Sequence, residues 1–100
     1  MTEKTAENQK DNRIFIGGKP FMNYVTAVVM QFNTNNMTEV KISSRGKFIT
    51  KAVDVAEVAR RKFLQEQRVT AKEVIIGSEE FENDEGKKIN VSTIDILLSR

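Results

Sequence analysis

The chain has 100 residues, neither cysteine nor histidine, and a formal net charge of +2. Without these two residue types it can form no disulfide, thiolate nucleophile or zinc–thiolate site, and it lacks the most frequent general base in enzymes. Apolar residues make up 39% of the chain, enough for one core but not two. We therefore expect a binding protein rather than an enzyme, with no cofactor.

The charge is unevenly distributed along the chain. Residues 1–12 are polar and predict a disordered tail, followed by a single domain over residues 13–100. Residues 13–64 carry nine Lys and Arg against three acids, whereas residues 65–100 carry five against eight. This pattern indicates an electropositive body with an acidic appendage. The tail has no apolar stretch typical of a signal peptide, and no run is long enough to span a bilayer, so no membrane partner is expected.

The first half of the domain predicts a strand, a helix and a second strand. The apolar run of residues 13–16 predicts a buried strand, and Pro20 suits the first position of a helix. The alternation over residues 39–43 predicts a half-buried strand. The buried face of the intervening helix is predicted from apolar residues at helical spacing, namely Val25, Val28, Val29 and Phe32.

The second half predicts another helix and a long hairpin. From about Ile49 apolar residues again recur at helical spacing, and Glu57 with Arg61 forms a favourable i,i+4 pair. Two β-like runs, residues 69–81 and 89–98, flank turn residues and predict a hairpin. The expected core face of this helix is Ala52, Val53, Ala56, Ala59 and Phe63. The order β-α-β-α-β-β predicts a mixed α/β domain of α+β architecture, in which one small sheet packs against two helices. The four Met and six Phe are expected in its core.

The glycine-rich turn between the first strand and the first helix is the first candidate site. Its sequence, IGGKP, is not a P-loop, because the earlier glycine and the Ser or Thr after the lysine are missing. Its free N–H groups and the positive end of the helix could still hold an anion. Lys19 adds a charge there and Gly18 allows close approach. The alternative is a plain strand-to-helix turn.

A second loop repeats this design, with Arg45, Gly46 and Lys47 between a strand and a helix. If the first two strands are parallel, the loops that follow them lie side by side at one edge of the sheet. Two cationic turns beside two helix N-termini suit a polyanion better than a small ligand. The acids of the hairpin are expected to be solvated surface rather than a metal site; they are Glu79, Glu80, Glu82, Asp84 and Glu85.

Three segments together resemble the Alba family of archaeal chromatin proteins. They are IGGKPFMNYV, SSRGKFITKAVDVAEVARRKFL and NVSTIDILLS, and the resemblance runs from about Ile14 to the last residue. It implies a β1-α1-β2-α2-β3-β4 domain with a four-stranded mixed sheet, similar to the C-terminal domain of translation initiation factor three. It further implies a homodimer that binds double-stranded DNA with little sequence preference, binds RNA, and is associated with the chromosome in the cytoplasm.

The resemblance also implies roles for individual residues. Lys19 matches the second lysine of the family's Lys-Lys-Pro turn, and Phe63 matches an aromatic residue that joins dimers. The first lysine, associated with acetylation, is Gly18 here, so Lys19 is the candidate acetylation site. The hairpin is more acidic than is usual in the family, which predicts weaker or more salt-sensitive binding. The residues expected at the nucleic acid are Gly17, Gly18, Lys19, Asn23, Arg45, Gly46, Lys47, Lys51, Lys87 and Lys88.

Three other functions stay open at this point. RNA is the alternative target, because the same loops would serve a folded RNA. A magnesium-dependent nuclease built on the hairpin acids is the enzymatic alternative, and a protein-interaction module is the third. Divalent-dependent cleavage would indicate the nuclease, while indifference of binding to Lys19 or Arg45 substitution would indicate the interaction module.

Overall fold

The computed structural model describes residues 12–100, and the predicted tail lies outside the described residues apart from Asn12. The strands are β1 (Arg13–Phe15), β2 (Glu39–Arg45), β3 (Thr70–Glu82) and β4 (Lys88–Ser99), and the helices are α1 (Phe21–Asn33) and α2 (Ile49–Val58). The predicted element order is confirmed. Neither helix of the described chain is long and apolar enough to cross a membrane.

The four strands form one mixed sheet in the order β1-β2-β4-β3. β1 runs parallel to β2, with Ile14 opposite Ile42, whereas β4 is antiparallel to both of its neighbours. The N–H of Ile16 continues the parallel ladder by donating to the carbonyl of Ser43 at 2.8 Å. A parallel pair needs a crossover connection, and α1 supplies it.

The core lies between one face of the sheet and the two helices. Each strand contributes alternate apolar side chains, as the pleat requires, and Ile14, Ile42 and Ile96 are buried there. From α1, the predicted Val25, Val28 and Phe32 are buried, and Val29 is partly buried. In α2, Val55 takes the core position predicted for Val53, which is 40% exposed.

The methionines and phenylalanines do not all lie in the core, contrary to the sequence prediction. Phe32 is fully buried, but Phe15, Phe63 and Phe81 are 65%, 50% and 47% exposed. Met22 and Met30 are also about half exposed, at 48% and 49%. Residue type alone therefore did not locate the core, whereas helical and strand periodicity did so for most positions.

Irregular turns follow the second helix. It continues into a π-helical turn, Ala59–Phe63, and then a short 3-10 turn, Gln65–Gln67. Arg68 adopts a left-handed conformation with φ of 57° before β3 begins. Glu57 accepts hydrogen bonds from both Arg60 and Arg61 at 2.7 Å, so the predicted i,i+4 pair is confirmed and an i,i+3 pair accompanies it.

The β3–β4 hairpin projects from the helix-backed body. Every residue of β3 is exposed, because β3 is the edge strand beyond the two helices. Its tip is closed by Asn83, whose side-chain oxygen accepts the N–H groups of Glu85 and Lys87 at 2.9 and 3.0 Å. Gly86, with φ of 82°, supplies the left-handed residue that the turn requires.

Candidate nucleic-acid interface

The parallel pairing of β1 and β2 places both cationic turns at one edge of the sheet, as predicted. The turn after β1, residues 16–20, holds Lys19, and the turn after β2, residues 45–48, holds Arg45 and Lys47. Lys51 of α2 joins them, because its Nζ donates to the carbonyls of Gly17 and Lys19 at 2.7 and 2.6 Å. This edge of the sheet therefore carries four of the six predicted cations, namely Lys19, Arg45, Lys47 and Lys51.

Two backbone amides of the first turn already have an acceptor, so they are not available to an anion in the way that the sequence predicts. The N–H groups of Gly17 and Lys19 both donate to the hydroxyl oxygen of Tyr24, at 3.0 and 3.1 Å. The backbone N–H of Asn23 donates to the carbonyl of Pro20 at 3.0 Å. Asn23 is exposed, so only its side chain could contact a ligand. The cation that this turn offers an anion is the exposed Lys19 side chain.

Tyr24 anchors the first turn, because its hydroxyl oxygen accepts two of the turn's backbone N–H groups. It is only 9% exposed, and the Lys51 Nζ lies 5.1 Å from the centre of its ring. Burial opposes ionisation of the hydroxyl, but the amides of Lys19 and Gly17 donate to its oxygen, and the cations of Lys51 and Lys19 lie nearby. Together these favourable effects outweigh burial and lower the pKa of Tyr24 below its ordinary value.

Gly18 is not sterically required in the first turn. Nothing lies within 4 Å of the position that a Cβ would take there, and its φ is not positive. A side chain at this position would point into open space beside Lys19. The position where relatives are expected to carry a lysine can therefore accept one without rearrangement.

The second turn differs from the first, because the polar contact of its side chains is an exposed ion pair rather than a hydroxyl that accepts backbone N–H groups. The Arg45 guanidinium donates to the Glu79 carboxylate of β3 at 2.7 Å, and both side chains are more than half exposed. Gly46 has φ of +61°, a left-handed conformation that favours glycine. Lys47 is exposed, with its Nζ 5.4 Å from the centre of the Phe48 ring.

The remaining predicted residues lie away from the two turns. Arg45 is paired with Thr93 of β4, and Lys88 is five residues farther along that strand, about 17 Å at the usual rise per residue. Lys87 lies in the hairpin turn, and Phe63 lies just beyond α2. Within residues 12–100, no three His, Cys, Asp or Glu side chains come together to hold a metal ion.

Two site residues escaped the sequence analysis. Tyr24 stands in the IGGKPFMNYV segment, seven residues after Gly17, but nothing in the pattern shows that its hydroxyl turns back to the amides. The sequence predicts Glu79 only as one of five solvated acids, because its contact with Arg45 joins residues 34 apart in the chain. Only the strand register reveals that pairing.

With this geometry established, the chain can be compared with known proteins. The Alba family profile matches residues 12–76. The chain belongs to the Alba family. Proteins named "DNA/RNA-binding protein Alba" are similar over nearly their whole length. That of Methanoculleus marisnigri is 51% identical, covering 90% of this chain and 94% of its own. That of Methanocella arvoryzae is 50% identical, covering 91% and 92%.

Solved structures agree with this assignment. Alba from Thermoplasma volcanium matches with a TM-score of 0.80 and 49% identity, covering 88% of this chain and 99% of that one. ALBA1 from Trypanosoma brucei matches with a TM-score of 0.67 at 21% identity, covering 90% and 69% of the two chains, and shares the fold. The predicted family and four-stranded architecture are thus both confirmed.

Proposed function

We propose that this protein binds double-stranded DNA without sequence preference and helps to package the chromosome. The observation that carries the proposal is the parallel pairing of β1 and β2, which sets Lys19, Arg45 and Lys47 along one edge. Relatives named as DNA/RNA-binding proteins, about 50% identical over 90% of the chain, support a nucleic-acid ligand. The proposed role is binding and involves no catalysis, and its proposed place is the chromosome within the cytoplasm.

The proposed mechanism is electrostatic. Lysine and arginine side chains of the two turns replace counterions condensed on the phosphates, which gives affinity that falls steeply with salt. Because phosphate contacts carry no base information, binding is insensitive to sequence. Lys19 and Lys47 make these contacts directly, and Arg45 does so after exchanging Glu79 for a phosphate. Lys87 and Lys88 extend the contact along the duplex, and acetylation of Lys19 would weaken it by removing a charge.

A homodimer is part of the proposal, supported by an uncovered apolar strip on β3. Val74 and Ile76 are 53% and 77% exposed, yet they stand opposite the buried Ile96 and Ile94 of β4. Directly opposite residues of a strand pair lie on the same face. The strip therefore continues the core face beyond the helices, where a second copy would cover it. Phe63, half exposed, is the proposed contact between dimers on DNA.

RNA is the second candidate ligand, because relatives of this chain are named for both nucleic acids. The same cations would serve the phosphates of an RNA duplex. Competition of unlabelled structured RNA against a labelled DNA duplex of equal length measures the preference. Displacement by RNA at a lower concentration than by DNA would make RNA the principal ligand.

The experiment that tests the proposal is fluorescence-anisotropy binding to two DNA duplexes of equal length and unrelated sequence, over a salt series. The two affinities should agree within about twofold, and log affinity should fall linearly with log salt. Gly18→Lys, which adds a cation at an open position, should steepen the slope by roughly 0.9 if it gains one phosphate. A flat salt dependence, or a strong preference for one sequence, would contradict the proposal.

A further inference from the structure

The face of the sheet opposite the helices carries a recess at the end of β1. Its volume is about 520 Å³, within the range of roughly 300–1,000 Å³ common for small-ligand sites. Phe15, Ser43 and Asp95 form a row across its floor, because Phe15 pairs with Ser43 and Ser43 pairs with Asp95. These residues alternate with buried core residues, so the row faces away from the helices.

Phe15 is the unusual member of this row. It stands between two buried isoleucines, but its own ring is 65% exposed. The Arg13 guanidinium lies 5.5 Å from the centre of that ring, and a second aromatic residue, Phe48, also lines the recess. An exposed aromatic ring on an open sheet face is a surface on which nucleobases stack in single-stranded nucleic-acid proteins.

The polar groups of the recess have the chemistry that a nucleobase needs. The Ser43 hydroxyl donates to Oδ1 of Asp95 at 2.5 Å, which fixes the carboxylate and leaves its Oδ2 as an acceptor. A carboxylate accepts from the exocyclic amino group of a base such as cytosine. Arg13 and Arg45 also line the recess, and Arg45 would exchange its partner Glu79, which lines it too, for a phosphate flanking an inserted base.

We propose that this recess binds an unpaired nucleobase of single-stranded nucleic acid. The base stacks on Phe15, its amino group donates to Asp95, and the neighbouring phosphates pair with Arg13 and Arg45. Adenine, cytosine and guanine carry such an amino group, whereas uracil and thymine do not. The recess borders the second turn through Arg45, so this inference extends the proposed function from duplexes to strand ends, bulges and loops.

Short single strands test the proposal without engaging both turns. We would measure anisotropy binding of labelled oligo(rC), oligo(dC) and oligo(rU) of five nucleotides, together with a blunt DNA duplex, to the full chain. Wild type should bind oligo(C) more tightly than oligo(U). Comparison of the ribose and deoxyribose strands shows whether the 2′-hydroxyl adds to the affinity.

Phe15→Leu is the decisive variant, because it keeps an apolar strand residue and removes the ring. It should weaken oligo(C) binding by at least about fivefold, the lower range for one stacked base, and leave duplex binding within twofold. Phe15→Trp should restore the single-strand affinity. Phe81→Leu, another exposed phenylalanine, is the matched control and should change nothing. Equal losses for Phe15→Leu and Phe81→Leu, or no loss for either, would overturn the proposal.

Asp95→Leu tests the base contact at similar size, because it removes both acceptor oxygens, whereas an asparagine oxygen could still accept from the base. Asp95→Leu should reduce the preference for oligo(C) over oligo(U), and an unchanged preference would contradict the role of Asp95.

Binding to the blunt DNA duplex distinguishes the proposed recess from the proposed function. If Phe15→Leu loses single-strand binding but binds the duplex normally, the result supports the recess. If the wild type binds oligo(C) through Phe15 but fails to bind duplex DNA, the result contradicts only the proposed function.

Discussion

The two cationic turns follow neighbouring parallel strands, yet they are held in opposite ways. In the first, the backbone is fixed from inside by Tyr24 and Lys51, and the side chain of Lys19 is left in solvent. In the second, a cation of the turn is itself bound, since Arg45 pairs with Glu79. Similar sequence patterns at the same edge of the sheet therefore present their charges differently.

Cations of one surface are therefore not equivalent ligands for phosphate. Among residues 12–100, Lys19 has no ion-pair partner to exchange for a phosphate, whereas Arg45 must first leave Glu79. An exposed ion pair is worth only about 0–1 kcal/mol, so the exchange reduces affinity without preventing binding. The first turn should be sensitive to changes in its scaffold, and the second to changes in charge.

Removing the Tyr24 hydroxyl should produce the largest effect. Tyr24→Phe leaves the N–H groups of Gly17 and Lys19 without their acceptor. We expect the melting temperature to fall by roughly 5–15 °C, and duplex affinity to fall although no charge has changed. Circular dichroism and anisotropy measure the two effects. An unchanged melting temperature would show that the first turn is not braced in this way.

The ionisation of Tyr24 gives an independent measure of the same bracing. Because the pKa of Tyr24 is lowered on folding, the phenolate favours the folded state, and the stability it adds rises as pH increases toward the unfolded value near 10. This contribution is lost as pH falls through the folded pKa. The chain has one tyrosine and no tryptophan, so ultraviolet absorbance titrates Tyr24 alone. Its midpoint should be lower in the folded chain than in urea.

The glycines of the two turns should respond differently to substitution. Gly46→Ala forces a Cβ into a left-handed conformation at φ of +61° and should cost about 1–2 kcal/mol of folding free energy. Gly18→Ala has open space and no positive φ, so it should be neutral or slightly stabilising. Urea unfolding compares the two variants. Equal losses of stability would contradict the distinction between the turns.

Releasing Arg45 should have the smallest effect and the opposite sign. Glu79→Gln removes the competing carboxylate and should tighten duplex binding by up to about fivefold, the value of one exposed ion pair. Glu80→Gln makes the same charge change on the opposite face of β3 and serves as the control. Anisotropy at low salt compares them. Equal tightening by both variants would mean that overall charge, rather than the Arg45 contact, sets the affinity.

Sequence periodicity predicted most of the fold, because the core is built from local repeats. Val25, Val28 and Phe32 recur at helical spacing, and Ile94 and Ile96 alternate along a strand. The shared edge of the cationic turns was predicted on the condition that the first two strands are parallel, and their pairing meets that condition. These features depend on residues that are close in the chain.

Contacts between distant residues could not be predicted in the same way. The Arg45–Glu79 pair joins residues on different strands, and its existence depends on the register of β3 and β4. The exposed ring of Phe15 was missed because an aromatic residue in an apolar run looks like core. Two of the amides expected to be free in the first turn, those of Gly17 and Lys19, are occupied because a buried tyrosine hydroxyl reaches them from the next helix.

The most direct test of the account is the salt dependence of duplex binding by Lys19→Ala/Lys47→Ala. The control is Lys62→Ala/Lys72→Ala, which also removes two lysine charges but away from the two turns. Lys72 pairs there with Glu39. If the turn lysines bind phosphates, the slope of log affinity against log salt should flatten by about 1.8 in the first variant and little in the second. Equal slopes in both would contradict an interface at the two turns.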